Sequence, residues 1–258
     1  MPRVGKKREL KFATEKYWRE EITASELLST ATDVVDDIYS QQLNAGIDLI
    51  PVNDFSFYDR VLDLCCLLGV TPERFSQDIK PFFLDEYFRL ARGDGDIAAM
   101  EMTKWFDTNY HYLVPEIEAT TNPYFSDQLF AQQILPELDS EKQKFCLFGP
   151  VTFLALAKGA DSVDKYSIKK ELSKAYADLL KYIENLGYTN IQIEEPILGS
   201  DLSDQDKGFF SAFYSELSKH LNPATKIHLV TYFGNIEDNI DLISSASFDS
   251  VHLDLITD

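Results

Sequence analysis

The feature that most constrains the fold is a repeated alternation of amphipathic helices with short apolar runs. The first helix of this kind begins at Thr23, because Thr23 and Glu26 have the spacing of a capping box. Apolar residues then recur at helical spacing as far as Ile38, and Gly46 is placed to end the helix. The apolar run at residues 47–52 follows at once. This succession predicts a helix that leads into a buried strand.

The same succession recurs along the chain. A helical pattern at residues 57–68 ends at Gly69, and residues 71–73, Thr-Pro-Glu, have the features of another helix start. Amphipathic helices are predicted at residues 168–186 and 209–221. Strands are predicted at residues 110–114, 145–148, 191–194, 227–232 and 251–255, with one further candidate at residues 3–5.

Strands that alternate with helices are typical of parallel sheets built from βαβ units. About seven candidate strands have this spacing, one fewer than the eight of a closed barrel. The sequence therefore predicts an α/β fold, a TIM-type (β/α)8 barrel that lacks its last strand within these 258 residues. A doubly wound open sheet is the alternative. It is disfavoured because no G-x-G-x-x-G turn follows an early strand.

The chain is strongly acidic, with a net charge of −19 from 43 acidic and 24 basic residues. A field of that sign repels phosphate backbones, so nucleic acid is not expected as a partner. An anionic ligand would need a local cluster of cations. The chain opens with charged residues, which argues against a signal peptide, and no apolar stretch is long enough to span a bilayer. We therefore expect a cytoplasmic location and no membrane partner.

Polar residues lie in or directly after the predicted strands, where parallel barrels carry their functional sites. These residues are Asn53, Asp54, His111, Glu194, Glu195, Thr231, Tyr232, His252 and Asp254. Glu194 and Glu195 should point to opposite faces of a strand, so they are not a paired acid and base. His111 is expected to be a hydrogen-bonded residue rather than a base. His252 and Asp254 share a face but form an incomplete metal site.

Motifs for covalent or metal chemistry are missing from the sequence. Cys65, Cys66 and Cys146 have neither a disulfide-framework spacing nor the C-x-x-C spacing of zinc ligands. No G-x-S-x-G elbow and no G-x-x-x-x-G-K-[ST] loop occurs. The residues alone thus predict no catalytic group, no metal site and no bound cofactor in this chain.

A basic cluster near the chain start is the remaining positive signal. It contains Lys6, Lys7, Arg8 and Lys11. Arg8 and Lys11 are three residues apart, so they share a face if this segment is helical. Such a pair can bind carboxylates through charge-assisted hydrogen bonds. A solvated basic helix start is the other interpretation, and spacing alone favours it.

The sequence resembles the N-terminal part of cobalamin-independent methionine synthases. The resemblance covers essentially the whole chain and rests on blocks in the same order: PRVG at 2–5, RELK at 8–11, YW at 17–18, AGIDLIP at 45–51, NDF at 53–55, EMTKWFDTNYHY at 101–112, GPVT at 149–152, IQIEEP at 191–196, TYF at 231–233 and HLDL at 252–255.

The resemblance implies that residues 1–258 are the N-terminal member of two face-to-face (β/α) barrels. The implied reaction transfers a methyl group from 5-methyltetrahydropteroyltri-L-glutamate to homocysteine and makes methionine. The residues implied to bind the folate polyglutamate tail are Arg8, Glu9, Leu10, Lys11 and Lys104. Zinc is implied in the C-terminal barrel, which is missing here and would be the partner of this chain. We therefore expect this chain alone to be inactive.

Two other interpretations remain open. The chain could be a naturally short, non-catalytic barrel that acts as an anion-binding or scaffolding module. It could also be an independent barrel enzyme, such as a decarboxylase that holds carboxylates with arginines, although the methionine synthase blocks do not support that.

Overall fold

The computed structural model describes residues 3–78, 84–106, 108–130 and 133–256, so Pro2 and Asp107 of the blocks above lie outside the described residues. The helices are α1 Glu9–Trp18, α2 Ala24–Asn44, α3 Arg60–Leu67, α4 Leu84–Arg92, α5 Asp127–Phe130, α6 Pro150–Leu156, α7 Lys169–Asn185, α8 Asp204–His220 and α9 Ile240–Ser244. The strands are β1 Ile50–Val52, β2 Met102–Lys104, β3 His111–Leu113, β4 Glu116–Ile117, β5 Gln143–Phe148, β6 Lys158–Gly159, β7 Asn190–Glu194, β8 Lys226–Val230 and β9 Ser250–His252. Short 3-10 helices cover Glu73–Asp78, Lys165–Ile168, Pro196–Gly199 and Glu237–Asn239.

The main sheet has five parallel strands in the order β1-β5-β7-β8-β9. Each strand lies beside the one that precedes it in the chain among these five, so the sheet is wound in one direction. A doubly wound sheet would reverse its strand order at a switch point. The predicted α/β fold with a parallel sheet is therefore confirmed, and its strand order is not that of a doubly wound sheet. The five strands do not themselves close, because β1 and β9 are the two edges of this sheet.

Two local predictions were wrong. Residues 110–114 contain β3, but β3 pairs antiparallel with β2, with Thr103 opposite Tyr112. The turn between these strands is much shorter than the dozen residues that a parallel crossover needs. Residues 3–5 form a turn, in which the Leu10 N–H donates to the Val4 carbonyl at 3.1 Å. The helix start predicted at residues 71–73 is confirmed, and the helix there is the 3-10 helix Glu73–Asp78.

The predicted helix boundaries at α2 and α7 are confirmed. The Thr23 N–H donates to the Glu26 carboxylate at 2.7 Å, and the Glu26 N–H donates to the Thr23 hydroxyl at 3.3 Å, which completes the capping box. Gly46 follows α2 with φ 76° and Gly187 follows α7 with φ 104°. Both glycines adopt the left-handed conformation that ends helices without steric strain.

The hydrophobic core covers both faces of the central strands. Four consecutive residues of β5, from Phe145 to Phe148, are buried although their side chains alternate between the two faces. Both faces are covered because helices such as α7 pack outside the sheet, as is usual for parallel sheets. Within the described ranges, no helix is long and apolar enough to cross a membrane.

Candidate functional site at the carboxyl ends of the sheet

The β2–β3 hairpin lies against the carboxyl ends of the parallel strands. Trp105, at the start of its turn, is buried, and its ring centroid lies 5.0 Å from that of Phe148, the last residue of β5. The next residue, Phe106, lies 6.4 Å from Phe233, which follows β8. Lys104 ends β2 and is exposed. The hairpin therefore carries Lys104 to the end of the sheet at which barrels bind ligands.

Asp59 fixes the hairpin to the start of α3. Its carboxylate caps the helix by accepting from the Leu62 N–H at 3.1 Å. The same oxygen accepts from the Leu113 N–H of β3 at 3.0 Å, and the other accepts from the Tyr110 hydroxyl at 3.3 Å. Burial raises the pKa of this carboxyl group, and these hydrogen bonds oppose that rise. One carboxylate thus holds two elements together.

Glu194, at the end of β7, forms a buried ion pair with Arg60. The two guanidinium nitrogens Nη1 and Nη2 donate to its two oxygens at 3.1 Å each. Tyr232 and Gln192 donate to the same carboxylate at 2.9 and 3.1 Å, and the Arg60 guanidinium lies 4.4 Å above the Phe148 ring. Burial alone would raise the pKa of Glu194, but Arg60 and these hydrogen bonds lower it below its ordinary value. Glu194 is therefore an ionised, fully engaged carboxylate.

Glu195 points away from Glu194, as strand alternation predicts, and binds the start of α6. Its carboxylate accepts from the N–H groups of Val151 and Thr152 at 3.1 and 2.6 Å and from the Tyr214 hydroxyl at 2.6 Å. A Cβ on Gly149 would lie 2.1 Å from the carboxylate oxygen, so only glycine fits there. The sequence blocks at 149–152 and 191–196 are therefore in direct contact, through Glu195 and the start of α6.

The remaining polar residues have ordinary partners. His111 is exposed, with Nδ1 3.1 Å from the Asn109 carbonyl oxygen, and His252 Nδ1 lies 3.1 Å from the Thr231 carbonyl oxygen. In the part of the chain that the structure describes, no three His, Cys, Asp or Glu side chains are grouped to hold a metal. Burial also raises the pKa of Cys146 well above its ordinary value, which disfavours the thiolate that zinc requires.

The N-terminal segment, which carries the basic cluster, begins at the carboxyl end of the sheet, where the hairpin also lies. Arg3 donates to the Ser56 carbonyl at 2.8 Å, just beyond the carboxyl end of β1. Burial and the Asp59 carboxylate raise the pKa of Tyr110 in the hairpin to about 12, and the positive charge of nearby Arg3 opposes this rise. The N-terminal segment and the hairpin are thus neighbours.

The five residues implied to bind folate differ in their surroundings. Arg8 is exposed and is the N-cap of α1, with φ 64°. Lys11 is exposed, 3.6 Å from Glu15, and the Glu9 carboxylate accepts from the Lys7 N–H at 2.9 Å. Leu10 is buried in the core. Lys104 is exposed on the hairpin. Whether Arg8, Lys11 and Lys104 converge on one ligand stays a prediction.

Sequence reasoning missed Arg60, Asp59 and the pair Phe106 and Phe233. Arg60 is 134 positions from Glu194, so no local pattern could pair them. Asp59 had one usable signal, because an aspartate directly before an apolar helical run is a common N-cap. Phe106 and Phe233 have positive φ angles, and nothing in the sequence predicts this backbone conformation.

Comparison with known proteins gives the family. The family model described as "Cobalamin-independent synthase, N-terminal domain" matches residues 1–258. The chain belongs to this family. It is 42% identical to the 5-methyltetrahydropteroyltriglutamate–homocysteine methyltransferase of Neisseria meningitidis serogroup B, over 99% of the chain and 34% of the relative. It is 40% identical to the enzyme of the same name from Histophilus somni, again over 99% of the chain and 34% of the relative.

A solved structure supports the fold independently. The putative vitamin-B12 independent methionine synthase from Listeria monocytogenes superposes with a TM-score of 0.62, over 95% of this chain and 68% of that one. At 16% identity this likeness concerns the fold alone. The chain spans about a third of the length of the curated relatives that it matches.

Proposed function

We propose that this chain is the folate-tail-binding, N-terminal part of a methyltransferase that moves a methyl group from 5-methyltetrahydropteroyltriglutamate to homocysteine. The observation that carries the proposal is the 42% identity to a relative of that name along 99% of the chain. The rest of such an enzyme would lie in the two thirds of the relatives that this chain does not match. The scaffolding alternative has no support from the comparisons.

In this proposal the chain binds and orients the substrate and supplies no catalytic group. Arg8, Lys11 and Lys104 are exposed cations in a chain with a net charge of −19, and a polyglutamate tail is a row of carboxylates. Zinc, which the family resemblance implies, would activate the homocysteine thiol from the part of the enzyme outside these residues. The described residues do not fit a zinc site, because no suitable group of ligands occurs among them.

The proposal also includes a barrel that further strands complete. The edge strand β9 is exposed along its length, and apolar residues from β9 onward face solvent: Val251, Leu253, Leu255 and Ile256. Exposed edges with apolar side chains are normally covered in native proteins. In the full-length enzyme we expect additional strands between β9 and β1. A cytoplasmic location stays a prediction.

The test is the difference in affinity of this chain for triglutamyl and monoglutamyl folate at low ionic strength. Exposed charge pairs are worth about 0–1 kcal/mol each, so we expect millimolar or weaker binding with a preference for the triglutamyl form. Lys104→Ala should weaken the binding of both folates, and high salt should abolish the preference, because salt screens exposed charges. Lys181→Ala, on the exposed face of α7, is the matched control and should change nothing. Equal affinity for both folates would contradict the tail-binding role.

A further inference from the structure

Two phenylalanines at the carboxyl end of the sheet have a backbone conformation that bulky residues rarely adopt. Phe106 has φ 47° and Phe233 has φ 69°, both in the left-handed region. They come from different segments, the hairpin turn and the loop after β8, yet their ring centroids are only 6.4 Å apart. Phe233 is 48% exposed, so its burial does not explain the strain. Strained residues of this kind persist only where neighbouring contacts hold them, and they cluster at active and ligand-binding sites.

Neighbouring residues hold both rings in place. The Phe233 N–H donates to the Asp254 carboxylate at 3.3 Å, and its ring packs edge-on against Tyr232 at 4.8 Å. Tyr232 is in turn held by its hydrogen bond to Glu194. Phe106 packs edge-on against the buried Trp105 at 5.4 Å. The Glu194 carboxylate, which is held by Arg60, therefore positions Tyr232, and Tyr232 packs against the exposed ring of Phe233.

The charge nearby indicates what these rings would contact. Lys104 is exposed and only two residues before Phe106, within about 7 Å along an extended chain. An aromatic surface beside a cation suits a flat ring that carries a carboxylate close to it. In a folate, a single amide joins the aminobenzoyl ring to the first glutamate, which gives this combination.

We propose that Phe106 and Phe233 form an aromatic platform for the aminobenzoyl ring of the folate, beside the Lys104 that binds its first glutamate. This inference rests on the proposed function. Rings of this kind prefer offset-stacked or edge-to-face contacts with centroids 4.5–7 Å apart. The two phenylalanines offer such contacts without any change in the fold. The other possible occupant, an apolar surface of the second barrel, is an outcome of the test.

The experiment compares two probes on the same chain by NMR titration at low salt. One is γ-linked triglutamate with an acetyl group on its N-terminus, and the other is the same tail with a p-aminobenzoyl group in place of the acetyl group, so that both carry the same charge. The aromatic probe should bind about three- to tenfold more tightly, the range expected for one aromatic contact. Phe233→Gly should remove this gain and leave the affinity for triglutamate unchanged. Lys104→Ala should weaken both probes and leave the gain intact.

Stability measurements separate a functional ring from a structural one. Glycine adopts positive φ freely, so Phe233→Gly should unfold at the wild-type temperature or higher while it loses the gain from the ring. Phe233→Leu, which keeps apolar volume without an aromatic face, should lose most of the gain as well. Tyr124→Leu is the control, because Tyr124 is 57% exposed beside the far end of α3. It should bind both probes as the wild type does.

Four results would overturn the platform. These are equal binding of the two probes, a gain that survives Phe233→Gly, marked destabilisation by Phe233→Gly, and retention of the gain in Phe233→Leu. Marked destabilisation by Phe233→Gly, or retention of the gain in Phe233→Leu, favours an apolar contact with the second barrel when the ratio of the two probe affinities stays at its wild-type value. Failure of the tail site gives a different result, because triglutamate would then not bind while p-aminobenzoate alone still shifts the Phe233 resonances. If neither probe nor p-aminobenzoate binds, both proposals are refuted.

Discussion

Replacing Gly149 with alanine tests how tightly Glu195 is held at the start of α6. The new Cβ would lie 2.1 Å from Oε1 and 2.2 Å from Cδ of Glu195, far inside van der Waals contact. The side chain cannot simply rotate away, because Val151, Thr152 and Tyr214 all bind its carboxylate. Either the backbone of α6 shifts or Glu195 gives up these hydrogen bonds.

Both routes are costly. Overpacking of a tight core costs about 1–3 kcal/mol, and each hydrogen bond to a charged group contributes about 1.5–3 kcal/mol. The two routes are alternatives, so the cheaper one sets the cost, and we expect Gly149→Ala to lower the free energy of unfolding by about 1–3 kcal/mol. For a domain of this size, 1 kcal/mol moves the unfolding temperature by roughly 2–4 °C. The melting temperature should therefore fall by roughly 2–12 °C.

Thermal and urea unfolding followed by circular dichroism at pH 7 would measure this loss. Gly208→Ala is the matched control, because Gly208 lies inside α8 and a Cβ there would meet nothing within 4 Å. Alanine is favoured over glycine in a helix interior by about 0.5–1 kcal/mol, so the control should be slightly more stable than the wild type. If Gly149→Ala also melts at or above the wild-type temperature, the proposed rigidity of Glu195 is wrong.

Two further predictions concern buried charges. Glu194→Gln should lower the free energy of unfolding by about 3 kcal/mol, because it leaves the Arg60 guanidinium without a carboxylate; Lys219→Ala, which removes an exposed ion pair, should cause no measurable change in the same urea assay. Burial raises the pKa of Asp63 from its ordinary 3.8 to about 7, so Asp63→Asn should stabilise the fold above pH 7 by up to about 4 kcal/mol. That gain should shrink as the pH falls from 7 to 4 and vanish below 4, and a gain that does not depend on pH would contradict the assignment.

Much of the fold could be predicted because its signals are local. The capping box at Thr23 and the glycines after α2 and α7 act through neighbouring residues, and the buried strands β5, β7 and β8 are short apolar runs. The hairpin could not be recognised in the same way. The sequence of strand β3 resembles the other apolar runs that were predicted to form parallel strands. Its partner β2 has only three residues, all exposed, so no alternation of apolar and polar residues indicates a strand there.

The candidate site was less predictable because its contacts join distant segments. Glu194 could be placed at a strand end from the sequence, but its partner Arg60 could not. Arg8 and Lys11 formed a visible cluster, whereas Lys104 entered only through the resemblance to a family. The strained backbone of Phe233 depends on the loop that follows β8 and on Asp254, which lies 21 residues further along the chain.

The one-directional order of the strands has a consequence for how the chain folds during synthesis. Strand partners such as Phe148 and Glu194, Glu194 and Val230, and Val230 and His252 are 46, 36 and 22 residues apart. Each new strand therefore emerges from the ribosome after the strand on which it pairs, within a few seconds at about 5–20 residues per second. Among the strand pairings described for this sheet, that of β1 with β5 closes the longest loop, and from β5 onward the sheet can grow in the direction of translation.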